Sequence, residues 1–290
     1  MKGKNSKMAV CTALLVLIQL VICSAAPVLG AHLDSYLKVA AVKLIYALSF
    51  AFPYIFWKRV IKPVGKSYKK HVWCEYKLPA FFIAFAAIVA FLQLNIVLLE
   101  LIGVSGTSNS GGMFEGFFGF LFSVLMYVII PAVSEELFSR GVLMRVAGSG
   151  MHAAFLSGIM FGLCHFNPYQ LLYSAGAGIV LSLLYLYTDD IKLSVYLHLV
   201  VNMTVLCLSY LSRICSVGVY VAIECIVWLV VLALGIYFSY VLLRDHHRDI
   251  YEKNKDIREL KGDISYQEIF SPAMIVVYVV IIVATLLRLI

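Results

Sequence analysis

The hydrophobic pattern of this 290-residue chain consists of long apolar runs separated by short polar segments. An apolar run of about 20 residues is long enough to cross the hydrocarbon core of a membrane as a helix. The pattern therefore predicts an all-α, polytopic transmembrane helical bundle with about eight to nine spans. The candidate spans are 8–29, 39–57, 78–102, 117–146, 152–166, 168–187, 191–211, 217–243 and 270–289.

The first span has two interpretations. Three lysines precede its apolar run, which ends in small residues, as in a cleavable signal peptide. Its length favours retention as a membrane anchor. We expect three regions: N-terminal spans in 1–116, a central core in 117–211 and C-terminal spans with a basic cytoplasmic loop in 212–290.

Composition and charge agree with a membrane protein. The chain is 62% hydrophobic and 13% charged, with a mean hydropathy of +0.94, which is far from a soluble mixture. Its net charge of +7 comes from basic blocks between apolar runs, so it indicates topology and not a nucleic-acid partner. The expected partner is the lipid bilayer. We expect a multi-pass protein of a bacterial plasma membrane. The seven cysteines show no C-x-x-C spacing, so neither a disulfide framework nor a thiolate zinc site is supported.

The basic blocks also predict which loops face the cytoplasm. The loops 58–77 and 244–263 hold most of the lysines and arginines, and the positive-inside rule places both on the cytoplasmic side with the N-terminus. The uncharged segment 105–112 and the C-terminus then lie outside. The loop 244–263 is either a short amphipathic surface helix or a solvated linker, and its mixed charges favour the linker.

The fourth span carries the first group of polar residues that needs an explanation. Ionisable groups at membrane depth are costly, so Glu135 and Glu136 indicate a functional site. Glu136 and Arg140 are four residues apart and can pair, which leaves Glu135 on another face. Pro131 and Gly141 predict a kink or break around the glutamates. The alternative is that the charged residues form only a buried structural ion cluster.

Two further motifs bring polar groups to the same depth as Glu135. Phe161 and His165 share one helical face, and so do His198 and Asn202. Counting about 1.5 Å per residue from the predicted turns places Glu135, His165, His198 and Asn202 in one layer. Such a set can activate water, with a carboxylate as general base, a histidine as proton relay or metal ligand, and an amide with a second histidine facing an oxyanion. Hydrolysis of a peptide bond needs those roles.

Other classes of protein remain open on the residues alone. A proton-coupled transporter also places Glu and His in the membrane interior, although no internal repeat supports it. A non-catalytic scaffold is a second alternative. The four-residue spacing of Ser174, Gly178 and Ser182 indicates a close helix-packing face.

In their order and separation, the motifs resemble the CPBP family of intramembrane proteases, which includes CAAX prenyl endopeptidases and Abi-like bacteriocin-processing or immunity proteins. The resemblance covers roughly 117–210. The matching residues are Glu135, Glu136 and Arg140, then Phe161 and His165, then His198 and Asn202.

The resemblance implies an endopeptidase that cleaves a prenylated or precursor peptide at the membrane. Its catalytic groups would face a cavity. The resemblance also implies that Glu135 activates the water with His165, and that His198 and Asn202 position the water or stabilise the oxyanion. Glu136, Arg140 and Phe161 are then supporting residues. Bacteriocin self-immunity is the runner-up within the family. A divalent metal such as zinc, or none, is compatible with the family; the candidate ligands are Glu135, His165 and His198, but the chain has no H-E-x-x-H motif.

Overall fold

The computed structural model describes residues 35–57, 76–103, 115–144, 150–165, 167, 169–259, 279 and 283. Within these ranges the chain is helical and contains no strand, which confirms the all-α bundle. The helices are α1 (Ser35–Trp57), α2 (Lys77–Leu101), α3 (Gly116–Leu143), α4 (Met151–Leu163), α5 (Leu171–Thr188), α6 (Ile191–Ile214) and α7 (Val217–Glu259).

Five of these helices are long and apolar enough to cross a membrane: α2, α3, α5, α6 and the part of α7 up to Asp245. They confirm five of the nine predicted spans. Helix α1 contains the predicted span 39–57, and its crossing stays a prediction. The predicted spans 8–29 and 270–289 lie outside the described residues, apart from Val279 and Val283.

The predicted span 152–166 corresponds to α4, and its crossing of the membrane stays a prediction. Helix α4 has 13 residues, or about 20 Å at 1.5 Å per residue, whereas a crossing needs about 30 Å. His165 lies in the turn that follows α4 and not inside the helix. The sequence contains Pro168 shortly afterwards, and a proline disfavours helix at the residue before it.

Helix α7 is longer than expected. It continues to Glu259, so residues 244–259 of the favoured solvated linker are helical instead. This stretch contains neither Gly nor Pro and is rich in Lys, Arg and Glu, which have good helix propensity. The helix that begins in the apolar span has no local signal to end at its charged boundary.

The helices pack around a core between α2, α5, α6 and α7. Ile88 of α2, Leu181 of α5 and Leu197 of α6 are almost completely buried there, together with Trp228 of α7. Many large apolar side chains point away from this core and are exposed on the outside of the bundle. Such a surface is what lipid contact requires. Examples are Leu98, Phe118, Ile226, Leu229 and Ile236.

A tight turn joins α5 to α6 and fixes their relative height. Asp189 adopts a left-handed conformation with φ of 49°, which Asp tolerates better than most residues. The side chain of Asp190 accepts a hydrogen bond from the backbone N–H of Lys192 and caps α6. Asp190 also pairs with Lys77 of α2 at 2.6 Å. Partial burial acts to raise the pKa of Asp190, but Lys77 and the backbone donors outweigh it, so the pKa is lowered.

Candidate active site

Helix α3 carries both glutamates, and it is continuous where a break was expected. Two π-helical turns, Val124–Ile129 and Ser139–Leu143, flank the segment that holds the glutamates. The first wide turn precedes Pro131, and the second contains Gly141. Ser134 donates hydrogen bonds to the carbonyls of Ile130 and Pro131, at 2.8 and 3.3 Å. The proline and glycine therefore widen the helix without interrupting it, and π-turns of this kind are frequent at functional sites.

Glu135 is 3% exposed, and its two carboxylate oxygens face different neighbours. Oε1 accepts a hydrogen bond of 2.9 Å from the hydroxyl of Tyr46 on α1. Oε2 lies 3.9 Å from Nε2 of His165 and 3.9 Å from Nε2 of His198. The structure therefore brings together the predicted base and both predicted histidines.

The orientation of each histidine ring is set by its other nitrogen. Nδ1 of His165 lies 2.8 Å from the carbonyl oxygen of Phe161, and a carbonyl can only accept, so Nδ1 carries the proton. Nδ1 of His198 lies 3.0 Å from Oε1 of Glu136 and donates to that carboxylate. In their neutral forms both rings consequently present the unprotonated Nε2 to Glu135.

Glu136 and Arg140 form the predicted ion pair, with both side chains completely buried and 2.9 Å between Arg140 Nη1 and Glu136 Oε1. Arg140 Nη2 also donates to the carbonyl oxygen of Gly178 on α5, at 2.7 Å. The pair therefore connects three helices, because Glu136 holds His198 on α6 while Arg140 holds α5.

The ring of Phe161 packs against both imidazoles. Its ring centre is 4.8 Å from that of His165 and 5.9 Å from that of His198, in edge-to-face arrangements. The guanidinium of Arg140 lies 5.5 Å from the same ring. Phe161 thus contacts both histidines and Arg140, and its supporting role stays a prediction.

Asn202 follows His198 by one turn of α6 and is half-buried. It shares the face of α6 that carries His198, as the spacing predicts. Its place beside the water that Glu135 and His165 would bind stays a prediction.

The packing face predicted for α5 is confirmed. Ser174, Gly178 and Ser182 are buried. A Cβ atom on Gly178 would meet the carbonyl oxygen of Gly158 on α4 at 2.8 Å. Only a glycine allows this approach, which places the Gly178 carbonyl within reach of Arg140.

Sequence reasoning missed two residues of the site, Tyr46 and Lys43, both on α1. Tyr46 is fixed by packing on Phe50, with ring centres 4.8 Å apart, and Phe50 packs on Phe138 of α3. Lys43 lies one turn before Tyr46, and its ammonium lies 5.6 Å from the Tyr46 ring centre. Neither residue belongs to a sequence motif. Tyr46 and Glu135 are 89 residues apart in sequence, so no local pattern predicts their contact.

Transition-metal ions in proteins are held by several His, Cys, Asp or Glu side chains that converge on one point. In the part of the chain that the structure describes, no group of three or more His, Cys, Asp and Glu residues is arranged to hold one. Nδ1 of each histidine is engaged by a protein acceptor, which leaves Nε2 as the nitrogen that faces Glu135. A metal bound by Glu135, His165 and His198 stays a prediction.

Residues 117–204 match a family model described as Type II CAAX prenyl endopeptidase Rce1-like. The match lies inside the predicted core and contains all seven site residues of the three motifs. It confirms the resemblance that those motifs indicate. No curated protein and no solved structure matches the chain.

Proposed function

We propose that this chain, a multi-pass membrane protein with an Rce1-like domain at residues 117–204, is a CAAX-type intramembrane endopeptidase. Its substrate would be a membrane-associated peptide with a lipidated C-terminus. The observation that carries the proposal is the convergence of three groups: Oε2 of Glu135 lies 3.9 Å from Nε2 of both His165 and His198.

These distances favour a water-mediated arrangement. A direct N–H···O hydrogen bond spans about 2.7 to 3.2 Å, so 3.9 Å is too long for one. A polar contact beyond about 3.5 Å is often bridged by a water. Oε2 of Glu135 and Nε2 of neutral His165 are both acceptors, and one water has two protons to donate. The groups thus hold a nucleophilic water in a fixed orientation.

The reaction follows from those two acceptors. The water oxygen forms a bond to the carbonyl carbon of the scissile peptide, while Glu135 takes the proton that leaves the water. The carbon–nitrogen bond then breaks, and Glu135 returns the proton to the departing amine. The second proton of the water passes from the new carboxyl group to the amine, so the products are a carboxylate on the lipidated part of the substrate and a short C-terminal peptide with an ammonium N-terminus.

The oxyanion of the intermediate needs donors, and His198 with Asn202 would supply them. Glu136 holds Nδ1 of His198, which orients the ring and stabilises it when both nitrogens are protonated. Nε2 of His198 then donates to the oxyanion, and the amide of Asn202 is the second donor.

The proposal is tested by supplying purified protein in lipid vesicles with a peptide that ends in a prenylated C-a-a-X sequence. The reaction is run in ¹⁸O-labelled water and followed by mass spectrometry. We expect release of the last three residues and one ¹⁸O atom in the new carboxyl group. A matched peptide without the prenyl group is the control for lipid recognition.

The outcomes separate the alternatives. Cleavage of an unlipidated precursor peptide in preference to the prenylated one would favour the precursor-processing role. Absence of cleavage of both peptides would contradict an endopeptidase, and would favour a non-catalytic scaffold or a self-immunity protein without this chemistry.

A further inference from the structure

The side chain of Lys43 is the charged group near the site that the reaction above does not use. Its ammonium lies 4.8 Å from the ring centre of Tyr127 on α3 and 5.6 Å from that of Tyr46 on α1. The residue is half-buried between these helices. Among the residues that the structure describes, no carboxylate lies within 4 Å of its nitrogen.

A cation at this depth needs a compensating negative charge. The two aromatic faces supply part of it through cation–π attraction. Glu135 is near enough to act on Lys43 electrostatically. However, Oε1 of Glu135 is bound by Tyr46, and Oε2 faces the histidines. Among the described residues the ammonium of Lys43 therefore binds no carboxylate. It is suited to bind the anionic group of a substrate.

The position of Lys43 identifies which part of a substrate this anion would be. Tyr46 lies between Lys43 and Glu135: its ring faces the ammonium, and its hydroxyl touches the carboxylate. One phenol side chain thus separates the cation from the base. In a C-a-a-X substrate three residues follow the lipidated cysteine, and three extended residues span at most about 11 Å. The free C-terminal carboxylate lies at the end of that length.

We propose that Lys43 binds the C-terminal carboxylate of the substrate and so fixes the distance from the chain end at which Glu135 directs the water. This inference rests on the proposed function. It assigns substrate selection to α1, which lies outside the matched segment 117–204. An enzyme of this kind would discriminate a free C-terminal acid from its amide, since only the acid carries the negative charge.

The test compares two prenylated peptides that differ only in a C-terminal carboxylate or carboxamide. Each is supplied to the parental protein and to Lys43→Gln, Lys43→Arg and Lys38→Gln. Lys38 is exposed on the same helix and is the matched control. The measured quantities are kcat and KM in vesicles, inhibition by the released tripeptide and by its amide, and the amount of folded protein.

We expect the parental protein to prefer the acid by at least about tenfold in kcat/KM, the size of effect typical of a buried charge pair. Lys43→Gln should lose most of this preference through a higher KM for the acid, with little change for the amide. Lys43→Arg should keep part of the preference, and Lys38→Gln should keep all of it. The tripeptide acid should inhibit the parental protein more strongly than its amide does.

Two results would overturn the inference while leaving the endopeptidase intact. One is equal cleavage of acid and amide by the parental protein. The other is an equal loss of both activities in Lys43→Gln, which would mean that Lys43 acts on Glu135 and not on the substrate. If Lys43→Gln fails to accumulate, the inference is still tested by two measurements. They are the preference of the parental protein for the acid peptide and the same preference in Lys43→Arg. A parental protein that cleaves neither peptide would overturn the proposed function itself.

Discussion

Glu135 and Glu136 are neighbours in sequence but have different surroundings, because successive residues of a helix point about 100° apart. Glu135 faces Tyr46 and the two histidines, whereas Glu136 faces Arg140 and Nδ1 of His198. The first carboxylate keeps one oxygen for a water. Oε1 of Glu136 binds both Arg140 and His198, while its Oε2 is completely buried and has no hydrogen-bond partner among the described residues. This difference makes Glu135 the better candidate for the general base.

Arg140→Ala tests the supporting role of the ion pair. The substitution would leave the completely buried Glu136 without its cation, and breaking a buried pair typically costs about 3 to 5 kcal/mol. We expect a large loss of folded protein, measured by abundance in membranes and by thermal unfolding. Arg248→Ala, at an exposed position on α7, is the control and should change neither. Normal abundance of Arg140→Ala would show that the pair is not structural.

Tyr46→Phe tests whether the contact from α1 positions the base. The ring that packs on Phe50 is retained, and only the hydroxyl that holds Oε1 of Glu135 is lost. We expect kcat to fall by about tenfold, corresponding to about 1.4 kcal/mol for one hydrogen bond to a charged group. KM should stay near its parental value, and the unfolding temperature should fall modestly, because Oε1 of the buried Glu135 loses its donor. Tyr36→Phe on the same helix is the control; equal kcat in both variants would remove Tyr46 from the site.

At the scale of elements, the contact between α4 and α5 positions two parts of the site. Gly158 and Gly178 let the two helices approach until a Cβ on Gly158 would meet the backbone nitrogen of Ile179 at 2.3 Å. The turn after α4 holds His165, and the Gly178 carbonyl of α5 holds Arg140. The helix contact and the catalytic geometry are therefore coupled.

Gly158→Ala should separate these two helices. Backbone atoms of α5 oppose the new methyl group, so relief requires movement of a helix, and overpacking of this kind costs about 1 to 3 kcal/mol. We expect a lower unfolding temperature together with reduced activity in the protein that remains folded. Gly218→Ala is the control, because its Cβ would meet nothing within 4 Å. Parental stability and activity in Gly158→Ala would contradict the close packing described here.

At the scale of the whole molecule, the sequence predicts the helices and the side-chain pairs within one helix. It does not predict the contacts between distant segments. Long apolar runs suffice to predict α2, α3, α5 and α6, and the four-residue spacings suffice to pair Glu136 with Arg140. Tyr46 and Lys43 were missed because a contact across 89 residues has no local pattern. The predicted break at Pro131 was wrong because a π-turn accommodates the proline within a continuous helix, while the alternative, a kink, stays a prediction.

The orientation of the molecule in the membrane is a separate prediction. The segments 58–75 and 105–112 lie outside the described residues, so the charge pattern alone supports it. Single cysteines at Lys66 and Ser108, in a background without the native cysteines, can be labelled in intact cells with an impermeant reagent. The positive-inside rule predicts labelling at Ser108 and protection at Lys66 until the cells are opened. Labelling at Lys66 and protection at Ser108 in intact cells would contradict the predicted orientation.

The most direct test of the central claim is the single-turnover cleavage rate of Glu135→Gln with a prenylated peptide in vesicles. Glutamine keeps the size of the side chain and an oxygen for Tyr46, but it cannot take a proton from water. We predict a rate at least about 100-fold below the parental rate, as expected for loss of a general base, with unchanged unfolding temperature and peptide binding. Glu115→Gln, exposed at the start of α3, is the control and should cleave normally. Cleavage by Glu135→Gln near the parental rate would contradict the assignment of Glu135 as the base.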